Sequence, residues 1–197
     1  SPHELAARLA DKDGAFTTGS QRIDAALIAA APRLKIVANM AVGYNNFDVD
    51  AMTAAGVQGT NTPDVLTETT ADFGFALLMA TARRLTESEH FLRAGKWTTW
   101  RYDMFAGSDI HGSTLGIIGM GRIGQGIAKR GAHGFGMNVV YHNRSRLSPQ
   151  LEGECKARYV EKDELLRTAD HVVLVLPYTP ASHHTIGAAE LALMKPT

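Results

Sequence analysis

The six residues Gly119-Met120-Gly121-Arg122-Ile123-Gly124 constrain this chain more than any others. Three glycines in that spacing mean little alone and gain meaning from what surrounds them. Thr114 to Ile118 is a short apolar run with two isoleucines, which reads as a buried strand. After the glycines, Ile127, Ala128 and Phe135 recur at helical spacing, and Met137 to Tyr141 is a second apolar strand. Strand, glycine turn, helix and strand form the unit that seats a dinucleotide. The first glycine permits the tight turn, the second lets the backbone approach a pyrophosphate, and the third lets helix and strand pack closely. The helix adds unpaired N–H groups and the positive end of its dipole.

The second strand runs out into His142-Asn143-Arg144-Ser145-Arg146, with no acid. An NAD site typically carries a carboxylate about 20 residues past the glycines, accepting from the ribose hydroxyls. A carboxylate would repel a 2′-phosphate, whereas a planar guanidinium grips one through paired charge-assisted bonds, here with a serine hydroxyl beside it. The stretch therefore favours NADP(H) over NAD(H). The alternative is a solvated loop whose arginines bind nothing, which leaves the missing acid unexplained.

The rest of the chain keeps an α/β rhythm. Ser1-Pro2-His3-Glu4 has the form of a helix start, with Leu5 and Leu9 facing inward. Gly14 to Thr17 is a short strand, Ile23 to Ala30 a helix stopped by Pro32, and Leu34 to Met40 an inner parallel strand. Asp48 starts the next helix, Gly56 ends it, and Val57 to Thr60 is a strand. Thr62-Pro63-Asp64 breaks the pattern and marks a domain boundary, giving domains 1–62 and 63–197. The longest helical candidate spans Glu68 to Ala94, stopped by Gly95; its first half is apolar nearly all round and is expected to be buried. Trp97, Trp100, Tyr102, Met104 and Phe105 follow outside regular structure, either as a subunit contact surface or as packing over the core. Lys156 to Val160 reads as a strand, Lys162 to Ala169 as a helix, His171 to Leu176 as a buried strand, and Ala188 to Met194 as a final helix.

With 197 residues, the chain holds one large or two small domains. Its 20 basic and 20 acidic residues are interspersed, so neither nucleic acid nor a membrane surface is an expected partner. Its single cysteine, Cys155, cannot form an internal disulfide and reads as a buried, inert thiol. No apolar run is long enough to span a bilayer, and no signal-peptide pattern opens the chain; a cytoplasmic location is expected.

Several blocks together are more specific than the glycines. Val37-Ala38-Asn39-Met40-Ala41-Val42-Gly43-Tyr44-Asn45-Asn46-Phe47-Asp48-Val49, then Asn61-Thr62-Pro63-Asp64-Val65-Leu66-Thr67, then Thr70-Ala71-Asp72, Gly119 to Gly124, Pro177, and the closing Leu191-x-x-Met194-Lys195-Pro196-Thr197 resemble the D-2-hydroxyacid dehydrogenase family, in particular its glyoxylate/hydroxypyruvate reductase branch. The resemblance implies a Rossmann-type doubly wound parallel sheet plus a smaller flavodoxin-like α/β substrate domain, both incomplete here, in a homodimer. It implies reversible hydride transfer between the nicotinamide and a small 2-oxo acid. Carried over residue by residue, the backbone at Val42 and Gly43 would hold the substrate carboxylate. Gly119, Gly121 and Gly124 would form the turn, with Arg122 and Ile123 on the pyrophosphate. Asn143, Arg144, Ser145 and Arg146 would take the 2′-phosphate, and Leu176 and Pro177 the nicotinamide side. Asn45 stands where the family commonly has aspartate, a position the chemistry does not rest on.

Reducing a carbonyl by hydride needs a cation to orient the carboxylate and an acid to protonate the oxygen. In the family an arginine, a glutamate and a histidine share these tasks, and all three would lie after Thr197, so this stretch alone is expected to show no turnover. The first strand of the smaller domain would likewise precede Ser1. His183-His184 lies near the nicotinamide end, but its short loop holds no acid or cysteine to complete a metal shell, so solvated histidines are expected and no metal site is assigned. Two other readings stay open: a nucleotide-sensing interaction protein of the corepressor kind, without turnover, and a dehydrogenase of the same family acting on formate, phosphoglycerate or a bulkier 2-oxo acid.

Overall fold

Helix α1 (Pro2–Leu9) starts as its residue types dictate. In the computed structural model, which describes residues 1–196, Ser1 Oγ accepts from the Glu4 N–H at 3.3 Å and Pro2 takes the first helical position. Strands β1 (Gly14–Thr17), β2 (Ile36–Asn39) and β3 (Gln58–Thr60) pair in parallel in that order. Between them run α2 (Ala25–Ala30) and α3 (Val49–Ala54), whose N-caps Asp24 and Asp48 accept from the third N–H along at 3.0 Å each. Ile23, Leu27, Ile28, Val37 and Met52 fill the core of this first unit, Ser1–Leu66 with Pro177–His183.

The second unit is Thr67–Leu176 together with the stretch from His184. It opens with α4 (Thr67–Ala82) and α5 (Leu85–Arg93). Strand β4 (Thr114–Ile118) leads into α6 (Arg122–Lys129), which widens into a π-helical turn over Arg130–Gly134. Strand β5 (Asn138–His142), α7 (Pro149–Cys155), β6 (Ala157–Tyr159), α8 (Lys162–Thr168), β7 (His171–Leu174) and α9 (Ala188–Leu193) complete it. The four strands are parallel in the order β6-β5-β4-β7. Alternate residues serve opposite faces of this sheet. Leu115, Ile117, Val139 and Tyr141 join Ala71, Phe75 and Ile127 in one core, while Ile118 and Val140 join Leu165, Leu166 and Ala169 in the other. Helices cover both faces, which is the doubly wound arrangement expected.

Four expectations need correction. The single helix over 68–94 is two helices, because Arg84 takes a left-handed conformation (φ 52°) and the Ser108 N–H captures the Ala82 carbonyl at 2.9 Å. That capture ends the ladder of α4 from outside, while Arg84 pairs with Glu87 through two 2.7 Å bonds. The first half of that segment is not buried all round: Ala71, Phe75 and Leu78 are, but Phe73 (64% exposed) and Leu77 (51%) line an open apolar groove with Leu174. Strand β7 is half-buried, lying last in the order β6-β5-β4-β7 among the described residues. The break between the units falls at Leu66/Thr67 rather than Thr62/Pro63, and 177–183 goes with the first unit. Among the described residues no helix is long and apolar enough to cross a membrane.

Candidate dinucleotide site

The turn leaving β4 is built so that only glycine fits at two of its three glycine positions. Gly119 has φ +102°, and a Cβ there would lie 2.2 Å from the Val175 carbonyl oxygen. At Gly124, in the first turn of α6, a Cβ would lie 2.4 Å from the Gly119 carbonyl oxygen, so the helix could not settle onto the strand. Gly121, the N-cap between them, differs: nothing stands within 4 Å of the place a Cβ would take. That clear approach is what a diphosphate needs to reach the backbone, and the first N–H groups of α6, at Arg122, Ile123 and Gly124, have no intrahelical acceptor.

Topology places the turn where ligands bind. The chain runs from β4 to β5 and β6 on one side, then returns to β7 on the other, so the strand order reverses beside β4. Open α/β sheets bind ligands in the crevice outside the carboxyl ends of strands at such a reversal. Gly119 begins there, its N–H donating to the His142 carbonyl at 3.1 Å. On the other side Val175 donates to Ile118 at 2.9 Å, and Leu176 and Pro177 follow, both exposed.

The loop after β5 divides the four residues assigned to the 2′-phosphate. Asn143 Oδ1 accepts the Met120 N–H at 2.8 Å, so this side chain braces the glycine turn. Arg144 and Ser145 are exposed, and Arg144 makes no hydrogen bond or ion pair among the described residues. Arg146 is held: Nε and Nη2 donate to the two oxygens of Glu152 at 2.8 Å each. Glu152 also accepts from the buried Tyr141 hydroxyl at 2.7 Å, and that hydroxyl accepts from the Leu147 N–H at 2.8 Å. The Arg146 guanidinium first, and the Tyr141 hydroxyl second, hold the Glu152 carboxyl at about 2. His142 turns inward, its Nδ1 at 3.0 Å from the Val160 carbonyl.

Sequence reasoning missed Glu152. The loop itself holds no acid, as expected, but one reaches it from α7, six residues beyond Arg146 and past the Ser148-Pro149 helix start. Val42 and Gly43 lie in the first unit, in the loop that leaves β2, Val42 half-buried and Gly43 exposed. Asn45 is exposed, as is His183, whose Nδ1 lies 3.3 Å from the Tyr178 hydroxyl oxygen.

A glycine turn, a helix N-terminus and a strand-order reversal at one edge of a parallel sheet define a Rossmann-type nucleotide-binding domain. Residues 75–197 match the family described as "D-isomer specific 2-hydroxyacid dehydrogenase, NAD binding domain". The match covers more than half of the chain, which belongs to the D-isomer specific 2-hydroxyacid dehydrogenase family. A glyoxylate reductase of Thermococcus onnurineus (strain NA1) is 51% identical over 197 residues, covering 98% of this chain and 58% of that protein. A crystal structure of a Thermus thermophilus protein superposes with a TM-score of 0.90 at 41% identity, over 98% of this chain and 60% of that one. An acyclic imino acid reductase in complex with NADPH and D-Arg gives 0.86 at 27% identity, over 99% of this chain and 61% of the other. The chain thus spans about three fifths of the length of these proteins.

Proposed function

We propose that this protein reduces a small 2-oxo acid with NADPH, glyoxylate or hydroxypyruvate above others, in a homodimer. The observation that carries this reading is the turn at Gly119–Gly124, open at Gly121 and followed by a loop that presents Arg144 and no free carboxylate. The similarity to a glyoxylate reductase supports the substrate class, and the NADPH bound by the imino acid reductase supports the cofactor.

In this reading the backbone of Gly121, Arg122 and Ile123 holds the pyrophosphate, with Gly119 and Gly124 shaping the turn. Arg144 and Ser145 hold the 2′-phosphate, and Leu176 and Pro177 line the nicotinamide. Asn143 contributes by fixing the turn through the Met120 N–H. Arg146 contributes by fixing the loop through Glu152. The Val42-Gly43 backbone receives the substrate carboxylate. The nicotinamide, when bound, supplies a hydride to the carbonyl carbon.

The test is direct. Intact protein mixed with NADPH and glyoxylate or hydroxypyruvate should consume the reduced nicotinamide, followed by its absorbance. No consumption with any short 2-oxo acid would sink the proposal.

A further inference from the structure

Three consecutive carbonyls of the loop after β2 are tied to the protein, each by a different group. The Ala41 carbonyl accepts from the Thr62 N–H at 3.0 Å. The Val42 carbonyl accepts from Asn61 Nδ2 at 2.8 Å, and the Gly43 carbonyl from Asn39 Nδ2 at 3.0 Å. A peptide unit is planar and trans, so its C=O and the following N–H point in opposite directions. Holding these three carbonyls turns each of the N–H groups of Val42, Gly43 and Tyr44 away from the group that holds its own peptide unit. None of the three donates a hydrogen bond among the described residues, and Gly43 and Tyr44 are exposed.

The Asn39 tether is itself fixed. Asn39 closes β2 and is 2% exposed, and Thr17 Oγ1 donates to its Oδ1 at 3.2 Å, which leaves Nδ2 facing Gly43. Asn46, also buried, donates to the Gln21 carbonyl at 2.8 Å and anchors the far end of the loop. Asn61 lies just past β3. A buried amide costs free energy unless both its ends are satisfied. Here that cost is met in a way that orients a loop.

We infer that Asn39 and Asn61 are positioning residues for substrate, and that they aim three backbone donors, Tyr44 N–H included, at one carboxylate. Successive N–H groups presented on one side of a loop make an anion seat that needs no side-chain cation. This inference rests on the 2-oxo acid reading above and assigns the residues that hold that site in shape. Neither asparagine touches substrate.

The test uses the intact protein and two variants. Asn61→Ala removes the Val42 tether, and Asn61→Asp keeps the side chain's shape while replacing its donor by an acceptor. Asn61→Ala should raise the KM for glyoxylate and the Ki of oxalate together by about tenfold, the worth of one hydrogen bond. The kcat and the Kd for NADPH should stay at their wild-type values. Asn61→Asp should show a larger KM penalty at alkaline than at acid pH, where the introduced carboxyl is protonated and donates again. Unchanged KM and Ki in both variants, with wild-type activity intact, would overturn the positioning role and leave the reductase reading standing. Parallel losses in KM, kcat and NADPH affinity would overturn it as well, showing general damage. A wild-type protein that neither reduces a 2-oxo acid nor binds oxalate would remove both readings at once.

Discussion

Arg146 and Glu152 form a two-pronged ion pair, and the carboxylate side of it is only 12% exposed. The Nε/Nη2 edge of the guanidinium is therefore occupied, whereas Arg144, two residues earlier and also exposed, has no carboxylate partner among the described residues. Two arginines that look equivalent in sequence have different surroundings.

Cofactor choice should accordingly follow Arg144. Arg144→Ala is expected to raise the KM for NADPH by roughly ten- to a hundredfold, the worth of a charge-assisted bond, with little change for NADH. Arg146→Ala should weaken both cofactors alike, by loosening the loop. Steady-state titration with each cofactor measures this, and equal losses for both at Arg144 would refute the 2′-phosphate assignment.

The same pair gives a pH dependence. Glu152 titrates at about 2 in the folded chain against an ordinary 4.5, so the unfolded chain binds more protons between those values. The stabilisation is complete above about pH 4.5 and is lost as pH falls toward 2. In urea unfolding, Glu152→Gln should cost a constant amount near neutrality and progressively less in acid. A penalty that persists undiminished at low pH would show that the charge of Glu152 is not what it contributes.

The three glycines of the turn should separate folding from binding. Gly119→Ala meets the Val175 carbonyl and requires φ +102°, so it should lower stability by about 1–3 kcal/mol and abolish cofactor binding. Gly121→Ala meets nothing in the protein and should leave the melting temperature nearly unchanged while weakening NADPH and NADH alike. Thermal melts beside fluorescence titrations distinguish the two, and full cofactor affinity in Gly121→Ala would move the diphosphate elsewhere.

Gly107 should be as sensitive as any residue of the site. A Cβ there would fall 2.0 Å from the Ala82 carbonyl oxygen, at the point where the 106–108 segment ends α4. Gly107→Ala is expected to cost about 1–3 kcal/mol by displacing that segment. Equilibrium unfolding checks it, and wild-type stability would mean that the segment moves freely.

Cys155 is fully buried, and burial raises its thiol pKa. Cys155 should react slowly with a disulfide reagent in the native state and rapidly only on unfolding, as read by thiolate absorbance.

Much of this was legible in the sequence because the physics is local. Ser1 and Asp48 cap helices by reaching the third N–H along, each where its residue type indicates, while Asp24 caps α2, which starts two residues after the expected Ile23. The glycine turn could be read because its neighbours are apolar runs of strand and helix period. What sequence could not show depends on groups far apart along the chain. The end of α4 is set by Ser108, which reaches back to Ala82. The pairing of Arg146 is set by a carboxylate on the next helix. Sequence by itself determined which residues could cap, turn and bury, since those are properties of a residue and its near neighbours. Tertiary structure alone decided which charges are already neutralised and which carbonyls are already held, because a hydrogen bond has no sequence signature until folding brings its two ends together.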